Sequence, residues 1–367
     1  MRPMRRLALS LPTALLLATA CGTSAGPAPT EPTAPDAGPA PGTKVQDAPI
    51  TRGRIGSKSE EADFHVTKGS VSLDGKYEKV LLVLDLESPC FPFDKWKDEP
   101  PPAGHNWPAS CDAFDRNFET ALFDPKEPNA PGLELVRAIT PFGGPMHIEE
   151  DVTDIWNGLE GPRELRVRIS TYSDGAGKVS GSNGSWFVTA RIERTYGPAP
   201  REVLAVKPLV YESVKASAPS RSIPFEVPEG ASETKVLYRV TGHGGQIEPG
   251  AECRQPADEF CKREHGIGFD GGAKAKLTPW RNDCRTLCTV KHYKGNGLDL
   301  DYCAENPCGA QASVRASRAN WCPGSVTPPT EHLLEGSPKG RHTFDFSIAK
   351  IAPEGSWSVS ATAFSYR

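Results

Sequence analysis

Leu165-Arg166-Val167-Arg168-Ile169-Ser170 alternates apolar and polar side chains without a break. Successive side chains of an extended chain leave opposite faces, so this stretch is a strand with one face buried and one wet. The same two-residue period runs through Phe344, Phe346 and Ile348, and through Trp357, Val359, Ala361 and Ala363. Val80 to Leu86 is almost continuously apolar, which predicts a strand buried on both faces. Gly, Pro, Asn and Asp interrupt these runs at short intervals. One short helix, around Val152 to Leu159, is predicted, and no long segment carries a helical stripe. Short strands punctuated by turn residues mean an all-β sandwich or jelly roll.

The ends of the chain set its context. Met1 to Ala20 is read as a signal peptide, with Arg2, Arg5 and Arg6 before the apolar run Leu7 to Leu17. Ala18-Thr19-Ala20-Cys21 permits two cuts: a bacterial lipobox that leaves Cys21 lipidated, or a plain small-residue site. The expectation is an exported lipoprotein, anchored to the outer membrane through Cys21; secretion or release into the periplasm is the alternative. Residues 21–49 read as a Pro/Ala/Gly-rich linker. The breaker cluster Tyr196-Gly197-Pro198-Ala199-Pro200 divides the rest into an N-terminal domain over 50–195 and a C-terminal domain over 201–367. A formal charge of −4 offers no basic patch, so nucleic acid is not an expected partner. The membrane is met only through the lipid, and the chain is expected to act as a monomer.

Ten cysteines in an exported chain read as disulfides. A zinc site made by Cys284, Cys288, Cys303 and Cys308 is the competing reading, which an oxidising compartment disfavours. Cysteines also bound the segments with the richest chemistry. Cys111-Asp112-Ala113-Phe114-Asp115-Arg116 sets a carboxylate beside a guanidinium. Asp258-Glu259-Phe260-Cys261 and Arg318-Ala319-Asn320-Trp321-Cys322 add a second carboxylate, a second arginine and aromatic rings. Carboxylates move protons, arginines hold developing negative charge, and aromatic faces stack on sugars. The segments are far apart in sequence, so a site needs a fold that joins two regions.

These segments resemble the bacterial peptide:N-glycosidase F family. That family has a Cys-Asp-x-Trp-Asp-Arg motif, here Cys111 to Arg116 with Phe114 in place of the tryptophan. Its Ile-Thr-Pro and Asp-Val-Thr-Asp elements are present as Ile139-Thr140-Pro141 and Asp151-Val152-Thr153-Asp154. Glu259-Phe260-Cys261-Lys262-Arg263-Glu264-His265 and Ser317 to Gly324 match its two later motifs in the same order. The resemblance implies two consecutive jelly-roll β-sandwiches packed side by side. It also implies an amidase that splits the bond between asparagine and N-acetylglucosamine in N-glycosylated peptides or proteins, with no metal or cofactor. By the same resemblance Asp115 and Glu259 are catalytic, and Arg116, Arg318 and Trp321 bind substrate. Ser170 stands where the family has a glutamate and Tyr172 where it has a tryptophan, so positioning of the sugar is expected to differ. The family's bridges imply the pairs Cys90–Cys111 and Cys284–Cys322, with Cys253–Cys261 replacing a bridge whose first cysteine has moved. A non-catalytic glycan-binding lipoprotein and a glycosidase using Asp115 and Glu259 as its carboxylate pair are the alternative functions.

Overall fold

Val83 and Asp85 share one face of the strand Lys79–Glu87, with Leu82, Leu84 and Leu86 on the other. Only the leucine face is fully closed: Asp85 stays open enough to pair with His147 and Arg191, so the run is not buried on both sides as expected. In the computed structural model, which describes residues 39–56, 64–171, 184–247 and 253–367, this strand is central to the first sheet. It lies between Ser185–Thr195 and Met146–Asp151, and Lys44–Gln46 and Thr51–Gly56 pair along the far side of Ser185–Thr195. Residues 1–38, Cys21 among them, and Tyr172 lie outside the described residues.

The second sheet stacks Leu133–Ile139, Asn117–Phe123, Gly161–Ile169 and Val66–Leu73 in that order. Leu165, Val167 and Ile169 are buried while Arg166 and Arg168 are exposed, as the alternation requires. The two inner faces meet in one core that includes Leu82, Leu84, Phe118, Val136, Val167 and Trp186. A short helix, Thr153–Gly158, closes one end; Asp151 accepts the amide and hydroxyl of Thr153 at its start.

Two further sheets follow Thr195. One carries Val203–Lys215, Gly355–Tyr366, Glu233–Gly244 and Thr330–Leu333; the other Ser220–Val227, Gly340–Ile348, His265–Phe269 and Ala275–Leu277. Their core joins Val236, Tyr238, Phe344, Phe346, Trp357 and Val359. All strand pairing within the sheets is antiparallel. The chain is thus all-β, with two sandwiches in succession, the architecture of a jelly-roll pair.

Several features lock the sandwiches together. The strand Ser325–Val326, from the second half, pairs with Leu133–Ile139 of the first. Beside it Arg137, 1% exposed, forks onto Glu134 at 2.8 and 3.0 Å and donates to the carbonyls of Ser358 and Arg239 across the junction. The segment between Cys284 and Cys322 crosses the same way. Its hairpin, Val290–Gly295 with Leu298–Cys303, sets Tyr293 and Tyr302 against Phe93 of the first sandwich.

The structure contains the disulfides Cys253–Cys261, Cys284–Cys322 and Cys288–Cys303. With Cys284, Cys288 and Cys303 bonded, the four-thiolate zinc reading fails. The expected Cys90–Cys111 bond needs correcting: both sulfurs are free thiols, and a third, Cys308, stands with them. The segment between Cys284 and Cys322 brings that third sulfur to the pair, an approach that spacing along the chain does not encode.

Candidate active site

Asp115 is placed by a threonine. Thr140, fully buried, donates its hydroxyl to the carbonyl of Phe114 and accepts the amide of Arg116, both at 2.8 Å. Its own amide donates to the carbonyl of Arg116 at 2.9 Å. Both peptide units flanking Asp115 are therefore held, and the residue leaves the turn at the mouth of the strand Asn117–Phe123 in a fixed direction. The Ile-Thr-Pro motif was a visible signal for this role, although the residue types alone do not point to it.

Glu259 is fixed from the second sandwich. It sits in the one-turn helix Ala257–Phe260, which the Cys253–Cys261 disulfide ties down. The carbonyl of Glu259 accepts the amide of Ala319 at 2.8 Å, and the carbonyl of Ala319 accepts the amide of Gly242 at 3.1 Å. This backbone relay sets Arg318 beside Glu259. Asn320 holds a left-handed φ of 68° and ties its side-chain amide to the carbonyl of Val240. Under the helix, Asp258 is wholly buried and bonds Arg263 and the amide of Ala352. A Cβ at Gly355 would lie 1.8 Å from an Asp258 carboxylate oxygen, so only glycine fits there.

Arg318 joins the two carboxylates. One guanidinium nitrogen lies 3.6 Å from Asp115 and another 3.5 Å from Glu259. The side chain is 2% exposed, rests on the rings of Trp321 and Phe260, and donates to the carbonyl and hydroxyl of Ser313 at 2.9 and 3.0 Å. Burial pulls its pKa below the ordinary arginine value despite both carboxylates. Burial, and then the neighbouring Asp115, raise Glu259 to about 7 against the opposing pull of Arg318 and the Gly244 amide. Burial also raises Asp115, against the pull of Arg318. Glu259 can therefore exchange a proton near neutrality, and Asp115 holds its proton more tightly than an ordinary aspartate.

The remaining expected site residues divide. Arg116 turns to Asp112 at 3.1 Å and lies over Phe114, leaving it near Asp115 in charge and bonded elsewhere. Trp321 is corrected: it is 2% exposed, donates to the carbonyl of Gly242 at 2.9 Å and stacks on His243. It is the floor beneath Arg318 and offers no free face to a sugar. Ser170 follows the last residue of the strand Gly161–Ile169; its amide donates to the carbonyl of Asn117, and its hydroxyl accepts Arg168 at 3.1 Å. His65 lies close to Arg168 and Arg116, and sequence reading did not single it out. His243 is in the strand Glu233–Gly244, and burial pushes its pKa down to about 3, which keeps the ring neutral.

Residues 211–364 match the family described as Peptide-N-glycosidase F, C terminal. Among solved structures the chain is similar to PNGase F, a glycosylasparaginase from Flavobacterium meningosepticum, at 14% identity and a TM-score of 0.60, covering 88% of this chain and 95% of that one. It is likewise similar to a peptide-N(4)-(N-acetyl-beta-D-glucosaminyl) asparagine amidase at 15% identity and a TM-score of 0.62, covering 88% and 96%. With PNGF-II the identity is 17% and the TM-score 0.61; the chain covers 65% of that protein's length. No curated protein sequence matches. At these identities the structural likeness establishes the fold, and the family match covers the second sandwich.

Proposed function

We propose that this chain, whose second sandwich is of the peptide-N-glycosidase F type, is an amidase acting on N-glycosylated peptides or proteins. The observation that carries the reading is one buried guanidinium, Arg318, faced by Asp115 from the first sandwich and Glu259 from the second. In the reaction water adds to the asparagine side-chain carbonyl and the bond to the sugar nitrogen breaks. Glu259, near neutrality in pKa, takes the proton of the attacking water. Asp115 delivers a proton to the departing nitrogen, and Arg318 balances the charge that develops between them. The products are an aspartate and a glycosylamine. Export, with Cys21 as the lipid anchor, belongs to the same proposal and draws support from the basic start and apolar run of residues 1–20.

Ser170 favours a second reading, a glycan-binding protein that has lost catalysis. A hydroxyl shared with Arg168 cannot hold the negative charge of a glutamate. Glycan release from a denatured N-glycoprotein, compared between wild type and Asp115→Ala, separates the two. The amidase reading expects release by wild type and a loss of about a thousandfold or more in the variant, worth about 4 kcal/mol of barrier. Equal binding of glycopeptide by both proteins, with release by neither, would leave the binding reading.

A further inference from the structure

The thiols of Cys90, Cys111 and Cys308 form one cluster outside the candidate active site. Cys90 and Cys111 pack together with Ala113, and Cys308 packs against them. Each backbone is anchored separately. The Cys90 amide donates to the Ser88 hydroxyl oxygen, the Cys111 amide to the carbonyl of Pro108, and the Cys308 amide to the carbonyl of Phe142. The fit at the centre is tight: a Cβ at Gly143, itself at φ 70°, would lie 2.7 Å from the Cys308 sulfur and 3.0 Å from the Cys90 Cβ. Cys90 and Cys111 are 0% exposed, whereas Cys308 is partly open to solvent. Of the three residues, then, only Cys308 keeps any surface at which an oxidant could arrive.

We propose that Cys308 is a relay thiol, through which an external disulfide oxidises the buried pair Cys90 and Cys111. In the first step the Cys308 thiolate attacks oxidised glutathione, forming a mixed disulfide and releasing one glutathione thiolate. The Cys90 thiolate then attacks the Cys308 sulfur; the second glutathione leaves, and the Cys90–Cys308 bond is formed. Last, the Cys111 thiolate attacks the Cys90 sulfur and Cys308 departs as a thiolate, which takes up a proton. Two protein thiols are oxidised and one glutathione disulfide is reduced to two thiols, so electrons balance. Cys90 is suited to the central position. Burial opposes its ionisation, but interaction with Cys111, Cys308 and Ser88 outweighs this and lowers its pKa to about 5. The same interaction with Cys90, and then burial, raise Cys308, so that the attack of Cys308 on glutathione is the slow step. The intermediate bond also ties the 284–322 segment to the first sandwich.

The test starts from the full chain with this cluster reduced and the three formed disulfides intact. It is exposed to oxidised glutathione, quenched by alkylation at intervals and mapped by peptide mass spectrometry. In wild type the Cys90–Cys308 link should appear first and give way to Cys90–Cys111. Cys111→Ser should accumulate Cys90–Cys308, and Cys308→Ala should form Cys90–Cys111 at least tenfold more slowly. Direct formation of Cys90–Cys111 with no earlier link to Cys308, or an undiminished rate in Cys308→Ala, would overturn the relay. The wild-type time course decides the matter even if either variant fails to fold.

Discussion

Arg137 and Arg318 are both buried at the junction of the sandwiches, at 1% and 2% exposure, and they are held in opposite ways. Arg137 forks onto Glu134 at 2.8 and 3.0 Å and reaches two backbone carbonyls. Burial lowers its pKa, but Glu134 and Glu119 outweigh that and the net shift is upward. Arg318 has its carboxylates at 3.5 and 3.6 Å, its Nε has no partner, and its net shift is downward. A saturated buried arginine holds structure, because any rearrangement strands a charge. A buried arginine anchored by Ser313 but slack toward its carboxylates keeps attraction in reserve for a group that arrives later.

The comparison breaks first on stability. Arg137→Met leaves Glu134 buried without its fork and should cost about 3–5 kcal/mol of unfolding free energy. Arg318→Met should cost less, because its carboxylates are each about a fifth open to water. Urea melts of the two variants test this, and equal losses would erase the distinction drawn here. Activity should run the other way. Arg318→Lys keeps the charge but loses the flat fork over Trp321, and glycan release should fall about a hundredfold, or about 2.7 kcal/mol, with little change in the melt.

Ser170→Glu sharpens the picture from the substrate side. Restoring an acid next to Arg168 should raise glycan release about ten- to a hundredfold, from one charge-assisted hydrogen bond of about 1.5–3 kcal/mol. A fall in rate would show that the serine is not what limits the site.

The smallest effect is the pH dependence set by Glu259. Its folded pKa, about 7, lies above the ordinary 4.5. Between those values the unfolded chain loses the proton while the folded one keeps it, so stability falls as pH rises from about 4.5 to 7. Glu259→Gln should remove a loss of about 1–3 kcal/mol, matching wild type at pH 4 and exceeding it at pH 8. In wild type kcat/KM should rise as pH climbs through about 7, since the base must be ionised. A flat profile would move the proton work elsewhere.

What the sequence determined by itself was local. The alternation at Leu165, Val167 and Ile169 fixed a half-buried strand, because side-chain direction in an extended chain has a period of two whatever surrounds it. The segment Val152 to Leu159, with Val152, Ile155, Trp156 and Leu159 at helical spacing, formed its short helix for similarly local reasons. The motifs nominated Asp115, Glu259 and Arg318, since ionisable side chains declare their chemistry by type. Tertiary structure alone decided how far each one is desolvated and what it faces. Trp321 is indistinguishable in sequence from an exposed stacking ring, yet the backbone around Gly242 closes over it. Thr140 and Ser313 hold the site through hydrogen bonds that no residue type announces. Cys308 reaches Cys90 because the hairpin Val290–Gly295 with Leu298–Cys303 docks its aromatic rings on Phe93. Distance along the chain carries no information about such meetings, because they are set by burial of apolar surface across the whole fold.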